Sequence, residues 1–264
     1  MYGMCIGQKG ERNIKIKPEV IQLIRDAANS AYQYLMIEFM YQNGYLEGLG
    51  FSYNEVNKII HQNMLTGCHN IYDAHLMMNL KVVFEYMIDT LEKPINGDMI
   101  LTMHAIVADK TWEDRRGFKG CWKTLPNCII GSDIAFVDPE NVEEELQKLQ
   151  ERWNASNKTL DDITEYHIQF EHIHPLQSCN GIIGRLLMLK QCMEHDVDLI
   201  IITEEYAGTY IEELYSAQKL GDDGRFKALI PKCQQATDIL LPTLKHTLET
   251  VDWDQVIADG MIIK

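Results

Sequence analysis

The sequence predicts a mainly α-helical fold, on three observations. Apolar residues recur at helical spacing along most of its 264 residues. Capping residues, prolines and Asn-Gly pairs punctuate those runs where helices begin and end. A single stretch, 112–137, breaks the pattern and carries the turn of a small β-hairpin.

Pro18 stands where a first helical residue belongs, and Val20, Leu23, Ile24, Ala27 and Ala31 follow at helix spacing. One helix is expected from there to about Tyr41, stopped by Asn43-Gly44. Ser52-Tyr53-Asn54-Glu55 reads as a capping box, in which each side chain satisfies an unpaired backbone N–H, so a short helix with Val56, Ile59 and Ile60 follows Ser52. A longer helix over 71–91 places Leu80, Val83, Phe84 and Met87 on one side and ends before Pro94, and Asp98 starts another through Val107. Gly117, Gly120, Pro126 and Gly131 then exclude helix, while Cys128-Ile129-Ile130 and Ile134-Ala135-Phe136-Val137 flank Gly131-Ser132-Asp133 as a hairpin over 128–137.

Asp138-Pro139 opens a helix with Val142, Leu146, Leu149 and Trp153, and Asp161 or Asp162 caps the next, which carries Ile163, Tyr166 and Phe170. Pro175 disfavours helix at His174 and ends that segment there. Asn180-Gly181 permits a tight loop, after which Ile182, Ile183, Leu186, Leu187, Leu189 and Met193 read as a new helix. Further helices are expected near 204–219, 223–240 and 242–250. With no repeat or linker in the chain, residues 1–63 read as an N-terminal helical extension packed on one helical domain, 64–264.

A hydrophobic content of 46% supplies a substantial core. Residues 1–20 have no signal-peptide run, and no stretch reaches the roughly 20 apolar residues of a membrane span, so a soluble protein is expected. The seven cysteines are odd in number and scattered, without any C-x-x-C pair, which suits reduced thiols in a cytoplasmic protein and argues against zinc. A net charge of −15 repels nucleic acid and anionic membranes. Lys110, Arg115, Arg116, Lys119 and Lys123 are too sparse to reverse this, being interrupted by Glu113 and Asp114. A protein or nucleotide partner fits better, and a homo-oligomer is left open.

The stretch 170–187, FEHIHPLQSCNGIIGRLL, sets a histidine, an Asn-Gly turn and an arginine around a helix start. Unpaired N–H groups there face outward at the positive end of the helix dipole, which suits an anion such as a phosphate. These residues resemble the signature of the Fic-domain family, HPFx(D/E)GNGRxxR. His174, Pro175, Asn180, Gly181 and Arg185 fall on motif positions. Leu176 replaces the Phe, Ser178 the acidic residue, Cys179 the first Gly and Ile182 the first Arg.

The resemblance implies a Fic-type helical domain with a β-hairpin flap, and transfer of AMP from ATP to a Ser, Thr or Tyr hydroxyl of a protein, self-modification included. By it His174 is the general base, Asn180 with the N–H groups around Gly181 holds the α-phosphate, and Arg185 reaches the terminal phosphates. Ser178 stands at the position that holds a divalent cation, magnesium or manganese. A serine hydroxyl is a neutral and weaker donor, so metal dependence is weakened; a loop hydroxyl bonded to its own backbone is the plain alternative. Cys179 reads as a small loop residue at the nucleotide site, and Tyr210, with Tyr206, either lines an adenine pocket or packs in the core. Glu47-Gly48 resembles the family's inhibitory helix, (S/T)xxxE(G/N), with Asn43 at the Ser/Thr position. A Glu47–Arg185 pair would withhold the arginine from ATP. The flap near 128–137 would dock the target protein by strand addition. The rival readings are a catalytically weak or dead Fic-fold module that binds nucleotide or protein, and a transferase using another nucleotide or a phosphocholine-type donor.

Overall fold

The computed structural model describes residues 16–25, 30–128 and 133–258, and its regular structure among them is helical throughout. The run predicted as one helix from Pro18 is two, α1 (Pro18–Ile24) and α2 (Ala31–Leu46). Ser30 is the reason: it sits in extended backbone and its hydroxyl accepts the Gln33 N–H at 3.3 Å, starting a fresh helix where apolar periodicity alone suggests continuity. Nor does α2 stop at Asn43-Gly44. Asn43 donates back to the Phe39 carbonyl at 2.8 Å and stays helical, and the chain turns out only at Gly48, which takes φ +70°.

The capping box of α3 (Tyr53–Gln62) is present, with Glu55 accepting the Ser52 N–H at 2.9 Å. The helix α4 (Ile71–Asp89) follows, then α5 (Gly97–Val107), capped by Asn96 rather than started by Asp98. A short helix that the sequence reading excluded, α6 (Trp112–Arg116), is closed by Gly117. A 3₁₀ turn at Pro139–Asn141 leads into α7 (Val142–Ala155). Thr159, and neither Asp161 nor Asp162, caps α8 (Leu160–Ile173); Asp162 instead answers it across a capping box. The remaining helices are α9 (Asn180–Glu194), α10 (Glu204–Leu220), α11 (Gly224–Leu240), α12 (Pro242–Thr250) and α13 (Trp253–Ala258). Of the expected hairpin, residues 129–132 lie outside the described residues, and the described part of 128–137 contains no strand.

The helix α9 is the axis of the fold. Every residue from Ile182 to Met193 is buried, as befits a helix covered on all sides by α4, α5 and α8. Its one lysine is satisfied inside: Lys190 donates to the carbonyls of Leu91 at 2.6 Å and Lys93 at 2.9 Å and pairs with Glu194 at 2.5 Å. Each fully buried Ile or Leu along α9 contributes on the order of 1.5–3 kcal/mol, so the start of this helix is held rigidly. The second long element at the site, α2, packs on α3, α4, α10 and α12 and brings its C-terminal end to the start of α9. Among the described residues no helix is long and apolar enough to cross a membrane.

Candidate active site

Pro175 ends α8 as expected, and the residue before it pays in conformation. His174 takes left-handed backbone, φ 48° and ψ 58°, as the C-cap of α8, with its N–H on the Phe170 carbonyl at 2.9 Å. Its Nδ1 lies 3.2 Å from the Glu171 carbonyl oxygen, which can only accept, so Nδ1 carries the hydrogen and Nε2 the lone pair. Burial, aided by the nearby Lys123 ammonium and opposed by that carbonyl, lowers the imidazole to about 4. The ring is neutral at pH 7. Phe136 covers it with a ring centroid at 4.3 Å.

The loop that follows is closed by Asn180. Its Oδ1 accepts the Leu176 N–H and its Nδ2 donates to the Leu176 carbonyl, each at 2.9 Å. The amide expected to hold a phosphate thus also shapes the loop that would receive one. Cys179, the N-cap of α9, stands at φ 60° with no side-chain cap bond, so the first turn of α9 gains no acceptor from it. Ser178 Oγ lies 3.5 Å from Cys179 Sγ. Burial pushes the Cys179 thiol up to about 12, which leaves it protonated and unreactive. Ile182, at the place of the first motif arginine, has no exposure and is core.

Arg185 is engaged with α2 by two donors. Nη2 donates to Glu47 Oε1 at 2.6 Å and Nε to Asn43 Oδ1 at 2.8 Å. The guanidinium crosses directly over Gly181, where a Cβ would stand 2.7 Å from Nη1. Arg185 is 7% exposed, so its charge is compensated inside the protein rather than by solvent. Asn43 completes this grip. In the sequence Asn43 reads as a helix stop and as the residue at the Ser/Thr position of the inhibitory pattern, and that position is the available signal.

Behind the arginine lies a polar layer. Burial raises the Glu171 carboxyl to about 7, Arg185 pulling it down and Glu47 up, and its Oε1 is buried with no partner among the described residues. Tyr210 is 3% exposed, its hydroxyl is 2.7 Å from His167 Nε2, and its ring packs against Phe226. Lys123 is a second residue that spacing did not reveal. Its ammonium donates to the Ile173 carbonyl at 3.1 Å, beside His174. The site brings together His174, Ser178, Cys179, Asn180, Gly181, Arg185 and Glu47.

Residues 94–192 match the sequence model of the Fic/DOC family. No curated protein matches the chain. Among solved structures, a Fic domain containing signaling protein from Bacteroides thetaiotaomicron superposes with TM-score 0.71 at 19% identity, covering 82% of this chain and 90% of that one. Fic-1 from C. elegans gives 0.66 at 21% identity over 87% of this chain and 67% of that one. A Fic family protein from Desulfovibrio desulfuricans gives 0.61 at 15%, covering 96% and 79%. At these identities the likeness is one of fold.

Proposed function

We propose that this chain, which carries a Fic/DOC-family domain over residues 94–192, transfers AMP from ATP to a hydroxyl of a protein and is restrained by Glu47. The observation that carries this reading is His174: a half-buried, neutral imidazole whose Nδ1 is tied to the Glu171 carbonyl, leaving Nε2 as the acceptor. A free Nε2 lone pair is what lets the ring accept a hydroxyl proton.

In the step itself Nε2 takes the proton of the target hydroxyl. The hydroxyl oxygen bonds to the α-phosphorus, the bond to the β-phosphate oxygen breaks, and pyrophosphate leaves with the electron pair. The first turn of α9, which no N-cap side chain closes, suits the charge developing on the α-phosphate. Arg185 is the cation for the terminal phosphates, and it reaches them only after leaving Glu47 and Asn43. With the pair closed, its charge is compensated and the carboxylate opposes the γ-phosphate, so transfer is slow until α2 shifts.

The resemblance also implies a divalent cation. Ser178 supplies one neutral hydroxyl, and among the described residues no group of three or more His, Cys, Asp or Glu is placed to hold a metal. These residues do not fit a resident ion, and no step here runs through one. The target protein would meet the segment 128–137, and the chain's own hydroxyls are further acceptors.

Incubation with ATP labelled at the α-phosphate tests the reading on the native chain, Glu47→Gly and His174→Ala. Covalent label is expected to rise in Glu47→Gly and to vanish in His174→Ala. Absence of label from all three, with ATP binding measured by calorimetry, would instead make the protein a nucleotide-binding module. The burial of Ile182 and the loss of a carboxylate at Ser178 are the observations that favour that second reading.

A further inference from the structure

We propose that Lys123 is the positioning residue of His174, holding the turn that carries the imidazole from both of its ends. The main-chain N–H of Lys123 donates to the Pro175 carbonyl at 2.9 Å, and its Nζ donates to the Ile173 carbonyl at 3.1 Å. Those two carbonyls belong to the residues on either side of His174. One residue thus grips the chain immediately before and after the base.

The physical demand for such a grip is visible at the turn. A non-glycine residue in left-handed backbone is strained, its Cβ crowding the following carbonyl oxygen, and His174 sits there at φ 48°. The last carbonyls of a helix have no partner within it. At the end of α8 the Lys123 ammonium supplies one, and as a cation at a helix C-terminus it also meets the favourable end of the dipole.

Burial makes the assignment sharper. Lys123 is 2% exposed, and an ammonium is strongly disfavoured away from water unless something compensates it. It makes no ion pair among the described residues; its compensation is the Ile173 carbonyl, the face of Phe136 with its centroid 6.0 Å away, and a longer-range attraction to Asp138. Burial lowers the ammonium to about 8, so it remains charged at pH 7. The groups that face His174 are therefore Lys123, the Phe136 ring, and the Glu171 carbonyl and carboxyl on α8, the carboxyl at 3.9 Å. Lys123 is the cation among them, and its field adds to burial in keeping the imidazole neutral.

The consequence for transfer rests on the reading of His174 as base, whereas the consequence for His174 itself does not. The test therefore has two arms, on the native chain, Lys123→Met and Lys123→Arg, with folding checked by circular dichroism. In the first, histidine ring signals are followed by NMR against pH, His174 being assigned by its loss in His174→Ala. The His174 midpoint is expected to rise in Lys123→Met, by less than a full return to the free-histidine range because burial persists, and to stay near the native value in Lys123→Arg. An unchanged midpoint in folded Lys123→Met overturns the proposal.

In the second arm, α-labelled ATP should show kcat falling at least about tenfold in Lys123→Met. KM for ATP should hold, the acid limb of the pH profile should move upward, and Lys123→Arg should recover the rate. Equal loss in Lys123→Arg and Lys123→Met, with both midpoints native, assigns Lys123 to stability alone and also overturns it. If the native chain transfers nothing even as Glu47→Gly, the proposed function fails while the NMR arm still decides the role of Lys123.

Discussion

Cys179 carries a conformation that suits glycine, the residue the family signature has at that position. It stands at φ 60° while its side chain stays partly buried against the core. Cys179→Gly relieves a left-handed strain of about 1 kcal/mol, and the melting temperature is expected to rise; a fall would show that the packing of the thiol outweighs the strain. Residues of this local kind were legible in the sequence. Pro175 marked the turn at His174, and Asn180-Gly181 marked the helix start, because such signals act over one or two positions. The site roles of Asn43, Lys123 and Glu171 are not legible there: Asn43 reads as a helix stop and pattern position, Lys123 as part of a sparse basic patch. Asn43 meets Arg185 across 142 residues and Lys123 meets Ile173 across 50, and no spacing in the chain advertises a contact made by tertiary packing. Tyr210 shows the same limit from the other side: its place on a helix was clear, while only the packed core shows it turned toward His167.

The proposed restraint rests on one element, α2, whose Asn43 and Glu47 lie one turn apart and face Arg185 together. Asn43→Ala leaves the Glu47 bond in place and removes the acceptor for Nε, so self-labelling with α-labelled ATP should fall between that of the native chain and that of Glu47→Gly. Labelling equal to the native chain would leave Glu47 as the whole of the restraint. The helical character of nearly every element was readable from the 3.6-residue period. Boundaries were less so, since the period runs on past Ser30 and only the hydrogen bond from the Gln33 N–H decides that α2 begins there. Thr159 and Asp162 are likewise interchangeable as sequence signals, and the reciprocal capping box assigns each its part. The five residues of α6 were excluded because glycines follow them, yet Gly117 serves as the stop of that helix.

At the scale of the molecule, the buried titratable groups set how the fold responds to acid. Burial lowers His104 to about 4, His167 to about 3 and His174 to about 4, from 6.5. Between pH 6.5 and 4 the unfolded chain therefore holds more protons at each, and stability falls as pH falls, by about 1.4 kcal/mol per pH unit for each histidine. Glu171 runs the opposite way: folded, it keeps its proton up to about 7 instead of 4.5, so its contribution is lost as pH rises through that window. Burial also raises Glu38 and Glu194, which run with Glu171, and lowers His195, which runs with the other histidines. Melting temperatures measured from pH 7 to 4.5 are expected to drop on acidification, and more steeply in Glu171→Gln; a flat profile would contradict the neutral state of the histidines. The distance between Glu47 and Arg185 along the chain, 138 residues, has a meaning in time as well as in space. Chains fold from the N-terminal side during synthesis, so α2 has left the ribosome long before α9 is complete. The carboxylate is made before the guanidinium it meets, so Arg185 need never stand without its partner in the growing chain.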